Sequence, residues 1–340
     1  MRPVVLPPNA VPRFYRGGPA IAALRRSEPV GDRVPEDWIG SMTTVLGEEE
    51  LGLSRLPDGS LLRDLAAADP IAFFGPEHAA RHGADPALLV KLLDAGERLP
   101  VHVHPDSHAA RELLGSPYGK TEAWIVVATA GPDASVSVGF REDVGAETLA
   151  GWVRDQDRRA MLDALNSFTV RAGDAIFVPA GVPHVIGEGV LLVELQEPAD
   201  LSMLLEWQGF ETSDAHEATL GLGWEAMLRC VELAGRDPAQ LRAARGDGNG
   251  AVSSLLPPEA DRFFRAERIV PSPTARLERG FAILVVTEGA GILLGGEGDP
   301  LTLRRGDGVL VPWAAGTCRL EGDLVAIACR PPLPDDRGAP

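Results

Sequence analysis

Residues 168–198 read FTVRAGDAIFVPAGVPHVIGEGVLLVELQEP, and residues 301–331 read LTLRRGDGVLVPWAAGTCRLEGDLVAIACRP. Aligned without a gap, the two stretches repeat a Gly-Asp turn, an apolar run closed by Val-Pro, and a second apolar run at the same offset. A looser match sets TEAWIVV (121–127) against GFAILVV (280–286). Short β-branched runs bounded by Gly or Pro are strand signals, and a duplicated hairpin-rich unit predicts two antiparallel jelly-roll barrels. Working outward, AWIVVA (123–128), AIFVP (175–179), VLLVEL (190–195), FAILVV (281–286) and GVLVP (308–312) read as strands. Helical patterns fall at LLRDLAAA (61–68), PEHAARHG (76–83), TLAGWVRDQDRRAMLDAL (148–165) and over 214–245. The Gly-, Ser- and Pro-rich GDGNGAVSSLLPPEAD (246–261) reads as a linker.

The duplication permits a subtraction. Residues shared by both copies build the fold, whereas polar residues present in one copy are candidates for chemistry. In the gapless pairing His184 stands against Thr317 and Glu194 against Ile327, and in the looser match Glu122 stands against Phe281, so the first copy holds the reactive group each time. The segment LPVHVHPD adds His102 and His104, whose i, i+2 spacing puts both imidazoles on one face of a strand. Three imidazoles and a carboxylate on strands of one barrel suit a borderline divalent ion such as Zn²⁺, Mn²⁺, Co²⁺ or Fe²⁺. His102, His104, Glu122 and His184 are therefore the candidate metal ligands. His78 and His82, an i, i+4 pair, read as a solvated helix face, while His108 lies near enough along the chain to reach the mouth of the site. Trp38, in EDWIGS, reads as core.

The chain has 340 residues, 45% of them hydrophobic, which predicts two or three packed units and a sizeable core. No apolar run approaches the ~18 residues of a membrane span. The proline-broken start MRPVVLPPNAVPRFYRGG does not read as a signal peptide, so a cytoplasmic location is expected. Cys230, Cys318 and Cys329 read as reduced core residues. Thirty-two basic against forty-nine acidic residues give −17, a field that disfavours nucleic acid and anionic membranes as partners. Only Lys91 and Lys120 among the basic residues are lysine, which points to places where a compact, titratable ammonium is wanted. The plainer reading of Lys91 is a snorkelling residue at a strand end.

With LLVKLLDAGERLPVHVHPD (88–106), GKTEAW (119–124), RAGDAIFVPAGVPHVIG (171–187) and VELQEPAD (193–200), the chain resembles the type I mannose-6-phosphate isomerase family over roughly Phe14 to Pro331. These are metal-dependent aldose–ketose isomerases of the cupin superfamily. The implied fold is mainly β, a β-rich α+β class: two cupin-type jelly-roll barrels with a helical insertion. The implied division is 1–85, N-terminal strands and helices capping the first barrel; 86–207, the metal-binding barrel with helical segment 148–165; 208–260, a helical segment and linker; and 261–332, a degenerate second barrel. The family motifs carry His104, Glu122 and His184 over as ligands, and His102 stands where many members have Gln. Both lysines fall inside the motifs, and Glu194 matches a carboxylate placed near the transferred proton. Lys120, Glu194 and Lys91 are thus the implied catalytic residues, with a structural hydrogen-bonding role the alternative for Glu194. One departure stands out: Leu204 occupies the position, ten residues after Glu194, where the family usually has an arginine. Arg16, Arg98, Arg111 and Arg141 are candidates to replace it.

The activity implied is interconversion of mannose 6-phosphate and fructose 6-phosphate through a cis-enediol, with one divalent metal ion, zinc first and Mn, Co or Fe as alternatives. The partner is a small-molecule sugar or sugar phosphate, bound by a monomer or small homo-oligomer. Two other readings stay open: isomerisation of a different sugar, unphosphorylated or differently phosphorylated, which Leu204 and the net charge favour, and a non-catalytic sugar-binding regulator.

Overall fold

Strand side chains alternate between two faces, and in the first repeat both faces are apolar. In the computed structural model, which describes residues 1–211, 215–243, 250–296 and 298–333, Trp124, Val126, Ile176, Val178 and Leu192 point one way. Ala123, Ile125, Phe177, Leu191 and Val193 point the other. Their strands, Glu122–Thr129, Ala175–Val178 and Val190–Gln196, join Leu89–Asp94, Glu36–Trp38, Ala10–Val11 and Arg242–Ala243 in a seven-stranded antiparallel sheet. A five-stranded sheet runs in the order Met203–Leu204, His102–Val103, His184–Ile186, Ser135–Phe140, Leu165–Thr169. Its Val136, Val138 and Ile186 meet the first face and close the core of the first barrel.

The second barrel is an eight-stranded sheet. Its path is Val4–Leu6, Gly308–Val311, Ala282–Leu294, Cys318–Arg330, Arg265–Ile269, Val252–Ser254, with Thr274–Leu277 and Leu301–Arg304 paired on at the side. Leu277, Leu284, Val286, Val309 and Ala328 fill its interior. Ile283, Val285, Leu310, Ile327 and Cys329 face outward and pack on the outer face of the seven-stranded sheet in one continuous core. The architecture is the expected β-rich pair of barrels. The N-terminus serves both: Val4–Leu6 pairs with Gly308–Leu310, whereas Ala10–Val11 pairs with Glu36–Asp37. Buried Arg25 adds a tie, donating to the carbonyls of Leu6 and Gly306 while its Nε lies 2.8 Å from Asp37.

The helical patterns come out shorter than their sequences suggest. The helix expected over 148–165 is two, Ala146–Asp155 and Arg158–Ala164, broken at Gln156 with φ 50°. The Gln156 side chain fixes that break by donating to the Leu205 carbonyl at 3.0 Å and accepting from the Trp207 N–H at 2.8 Å. Within 214–245, only Ala215–Ala218, Trp224–Leu228 and Pro238–Leu241 are helical, because left-handed Leu220, Gly221 and Gly223 and then Pro238 interrupt the run; residues 214, 244 and 245 lie outside the described residues. Of the linker 246–261, residues 246–249 also lie outside, and Val252–Ser254 is an edge strand of the second barrel. Among the described residues, no helix is long and apolar enough to cross a membrane.

The structure corrects the pairing of the two repeats. His184 follows Val178 by six residues, but Cys318, its counterpart on the inner face, follows Val311 by seven, because a turn of 3₁₀ helix at Trp313–Ala315 is one residue longer. A one-residue slip turns every side chain to the other face. Ile327 therefore sits in the core between the barrels, as does Phe281. Register places Glu194 beside Trp124 and Ala328 beside Leu284, so the counterparts of Glu122, His184 and Glu194 are Ala282, Cys318 and Ala328.

Ile283 is 2% exposed at the seam between the two barrels. Ile283→Ala is expected to cost about 2–5 kcal/mol of stability, read by urea unfolding, because a cavity there is walled by two sheets that cannot easily collapse onto it.

Candidate metal centre

His102 and His184 are direct cross-strand partners, and His104 lies just beyond the end of its strand. Their ring centroids are 4.1 Å (His102–His184), 4.8 Å (His104–His184) and 5.1 Å (His102–His104) apart. Each ring is held through Nδ1 by a backbone carbonyl: His102 by Pro100 at 2.9 Å, His104 by Leu201 at 2.8 Å and His184 by Val182 at 2.7 Å. A carbonyl only accepts, so the proton is assigned to Nδ1 and the Nε2 lone pair is left free. Those lone pairs turn inward, and one ligand atom from each ring lies within 4.8 Å of the others. Burial holds all three imidazoles far below the usual histidine range, His104 and His184 to about 3, with the Lys120 charge adding to the effect at His104. They are neutral at any physiological pH, the form that ligates.

Glu122 completes the cluster. Its Oε2 lies 3.1 Å from His104 Nε2 and its Oε1 3.3 Å from His184 Nε2. The His184 Nε2 is fully buried with no hydrogen-bond partner. An imidazole lone pair held against a carboxylate oxygen is repulsive unless a cation sits between them. Part of that charge comes from Lys120, whose Nζ is 2.9 Å from His104 Nε2 and 3.1 Å from Glu122. Burial would raise the Glu122 carboxyl, but Lys120 and the neighbouring histidines hold it well below its ordinary value. The Trp124 indole N–H donates to Glu122 Oε1 at 2.9 Å and fixes its direction. The buried histidine triad can hold a metal ion, and three nitrogens beside one oxygen is a donor set for the borderline divalent metals.

A second layer of paired charge surrounds the cluster. Glu194 lies 3.8 Å from Lys120 and directly across the sheet from Lys91. Burial pushes its carboxyl up to about 8, against the pull of Lys91, with Glu122 repelling it further. Lys91 Nζ sits 3.5 Å from Glu36 and 4.8 Å from the centroid of the Trp38 ring; although burial opposes its charge, Glu36 and Glu194 keep its pKa raised. Glu36 in turn accepts from Tyr15 and from the Trp38 indole. Arg13 makes a bidentate pair with Asp200, both bonds 2.9 Å.

All seven residues singled out in the sequence come together here: His102, His104, Glu122, His184, Lys120, Glu194 and Lys91. His108 does not reach the mouth; its side chain is 88% exposed and turned to Glu112. The solvated face expected for His78 and His82 is half-buried against the second barrel. Arg16, Arg98, Arg111 and Arg141 are absent from the cavity lining, and Arg98 is clamped by Glu206 at 2.6 and 2.8 Å. The guanidinium that does line it is Arg13, which sequence reasoning missed, together with Leu204. The only signal was indirect, since Glu36 and Asp200 in otherwise apolar settings require a cation.

No protein-family model matches the chain. Among curated proteins it is 29% identical over 255 residues to the mannose-6-phosphate isomerase of Streptococcus mutans, covering 71% of this chain and 73% of that protein. It is 26% identical over 235 residues to the mannose-6-phosphate isomerase ManA of Bacillus subtilis, covering 69% and 72%. Among solved structures, the mannose 6-phosphate isomerase from Bacillus subtilis superposes with a TM-score of 0.77 at 21% identity, over 97% of this chain and all of that one. A variant of the phosphomannose isomerase from Salmonella typhimurium gives 0.79 at 17% identity, over 98% of this chain and all of that one. The chain is a homologue of curated mannose-6-phosphate isomerases and has the fold of the solved ones.

Asp200→Asn leaves Arg13 buried with Glu36 alone, 3.6 Å away, and is expected to cost about 3–5 kcal/mol near neutral pH. Burial opposes ionisation of Asp200, but Arg13 and Lys91 prevail and hold its carboxyl below its ordinary value. Its contribution is therefore complete above the unfolded-state carboxylate range and is lost as acid protonates the folded form. Urea unfolding of wild type and variant should show a stability gap that is widest near pH 7 and narrows below about pH 4.

Proposed function

We propose that this homologue of the mannose-6-phosphate isomerases is itself an enzyme of that family, a metal-dependent aldose–ketose isomerase interconverting mannose 6-phosphate and fructose 6-phosphate through a cis-enediol. The observation that carries the reading is the convergence of three carbonyl-tethered, neutral imidazoles on Glu122, with Lys120 and Glu194 at the edge of the same cavity. His102, His104, Glu122 and His184 would hold the ion, with zinc the first choice. When bound, it supplies Lewis-acid polarisation of the sugar oxygens at C1 and C2.

The remaining chemistry falls to the chain's own residues. Isomerisation takes a proton from C2 and returns it to C1, so one group must both accept and donate. A carboxyl raised to about 8 exists in both forms near neutrality, which suits Glu194 to that shuttle. Lys120, beside Glu122 and within 3.8 Å of Glu194, faces the oxygen on which negative charge develops. Lys91 holds Glu194 from the opposite strand and is itself held by Glu36. The cavity encloses about 30 Å³, room for one water, so a hexose phosphate enters only when half-buried side chains at its edge, Arg13, Phe14 and Ser202, give way.

A second reading, an unphosphorylated sugar, rests on Leu204: an apolar side chain lines the cavity where the resemblance places an arginine, and Arg13 is already engaged by Asp200. Protein stripped of metal and reloaded, assayed on mannose and fructose with and without the 6-phosphate, separates the two. Turnover of the phosphate esters alone upholds the first reading, and turnover of the free sugars alone replaces it. Exchange of the C2 hydrogen with deuterated water distinguishes either from a regulator that only binds.

Metal loading is expected to raise thermal stability, by about 4 kcal/mol at a thousandfold excess over Kd, and His184→Ala to abolish that gain. Glu194→Gln is expected to keep the metal, measured by elemental analysis, and to lose about 10²–10⁴-fold in kcat. A Glu194→Gln variant of undiminished kcat removes that residue from the proton transfer.

A further inference from the structure

We propose that the mouth of the second barrel is a binding site for a small molecule bearing a phosphate group. The place is the counterpart of the metal centre. Cys318 pairs with Leu277 as His184 pairs with His102, and Arg279 lies two residues beyond Leu277 as His104 lies two beyond His102. Arg330 lies two residues beyond Ala328 and pairs directly with Arg265 on the neighbouring strand. Alternation turns both toward the barrel interior, the face that carries Ala328 and Ile269. Where the first barrel gathers imidazoles and a carboxylate, the second gathers guanidinium groups.

These arginines line a cavity of about 440 Å³, covered from the side by the Pro76–His82 helix. That volume falls in the ~300–1,000 Å³ range of small-molecule pockets. Four arginines (81, 265, 279 and 330) line it against three glutamates, in a chain whose net charge is −17. One of those glutamates, Glu278, is drawn to Arg276 outside the pocket at 2.8 Å, and Glu267 is held by Arg330 at 2.8 Å. Burial lowers the Arg265 pKa and the neighbouring Arg330 charge lowers it further, while Glu267 and Asp261 pull it back up. The planar guanidinium fork matches phosphate oxygens in pairs. The Trp313 ring, under Arg279 at 4.6 Å, offers the rest of the ligand a flat face. Gly75 leaves that ring room, since a Cβ there would come within 2.5 Å of it.

The test uses the full chain with glycerol 3-phosphate, an organic phosphate that is not an aldose or ketose, and with inorganic phosphate. Calorimetry should show one saturable site and fluorescence a quench that Trp313→Phe removes. The double variant Arg265→Gln/Arg279→Gln, checked for folding by circular dichroism, should weaken binding about ten- to a hundredfold. His104→Ala, in the other barrel, should bind as wild type does. Binding that survives the double arginine variant, that disappears with His104→Ala, or that is too weak to saturate at about 10 mM overturns the proposal. Binding of inorganic phosphate with no gain from the glycerol moiety limits the site to an adventitious ion and overturns it as well. None of these readouts depends on isomerase activity, so the two readings stand or fall separately.

Discussion

The central strands of the seven-stranded sheet have no wet face over most of their length. Its outer side is sealed against the second barrel and its inner side is the wall of the first. Any charge placed on it must find its partner within the protein, because an isolated buried ion is too costly to persist. The pairs follow from that: Lys91 with Glu36, Lys120 with Glu122 and Glu194, and Arg13 with Asp200. The same dryness strips the three histidines of their protons and leaves lone pairs facing a carboxylate. In a hydrated cleft the same residues would be ordinary surface groups. The five-stranded sheet, which covers that inner face and carries His102 and His184, keeps the centre dry.

Most of the centre was legible in the sequence because its residues lie on strands, where spacing is direction. The His102–His104 interval put both rings on one face, the duplicated Gly-Asp and Val-Pro landmarks identified the strand carrying His184, and the looser TEAWIVV/GFAILVV match the one carrying Glu122. The scarcity of lysine marked Lys91 and Lys120 before anything placed them beside each other. Arg13 was invisible for the opposite reason. It reaches the site from an irregular segment 187 residues away in sequence from its partner Asp200, and nothing local encodes such a contact. The one-residue slip between the repeats was hidden because the chain stays apolar on both faces, so a shift of phase leaves the composition of each strand unchanged. The break at Gln156 was hidden because a left-handed residue in a helical pattern is decided by side-chain bonds to a distant loop.

The two barrels show how little of a duplicated fold is tied to its original contents. The sheet order, the Val-Pro turns and the inward apolar layers are common to both. The inner positions of Glu122, His184 and Glu194 became Ala282, Cys318 and Ala328, which are buried in the apolar interior of the second barrel. A barrel interior needs apolar volume deep inside, whereas its rim faces solvent and tolerates any residue that pairs its charge.

The strand Val4–Leu6 has its partner far along the chain. It pairs with residues 308–310 in the second barrel, while Ala10–Val11, only a short step along the chain, belongs to the sheet of the first. Residues 4–6 have no template in the second barrel until residues 308–310 have been made. Residues 4–11 thus act as a clasp: one strand closes the edge beside Gly308–Val311 and the next joins the sheet of the first barrel. A pairing of such long sequence separation is slow to form, and until it does, the exposed edge of the second barrel is the part of the protein most open to pairing with another chain.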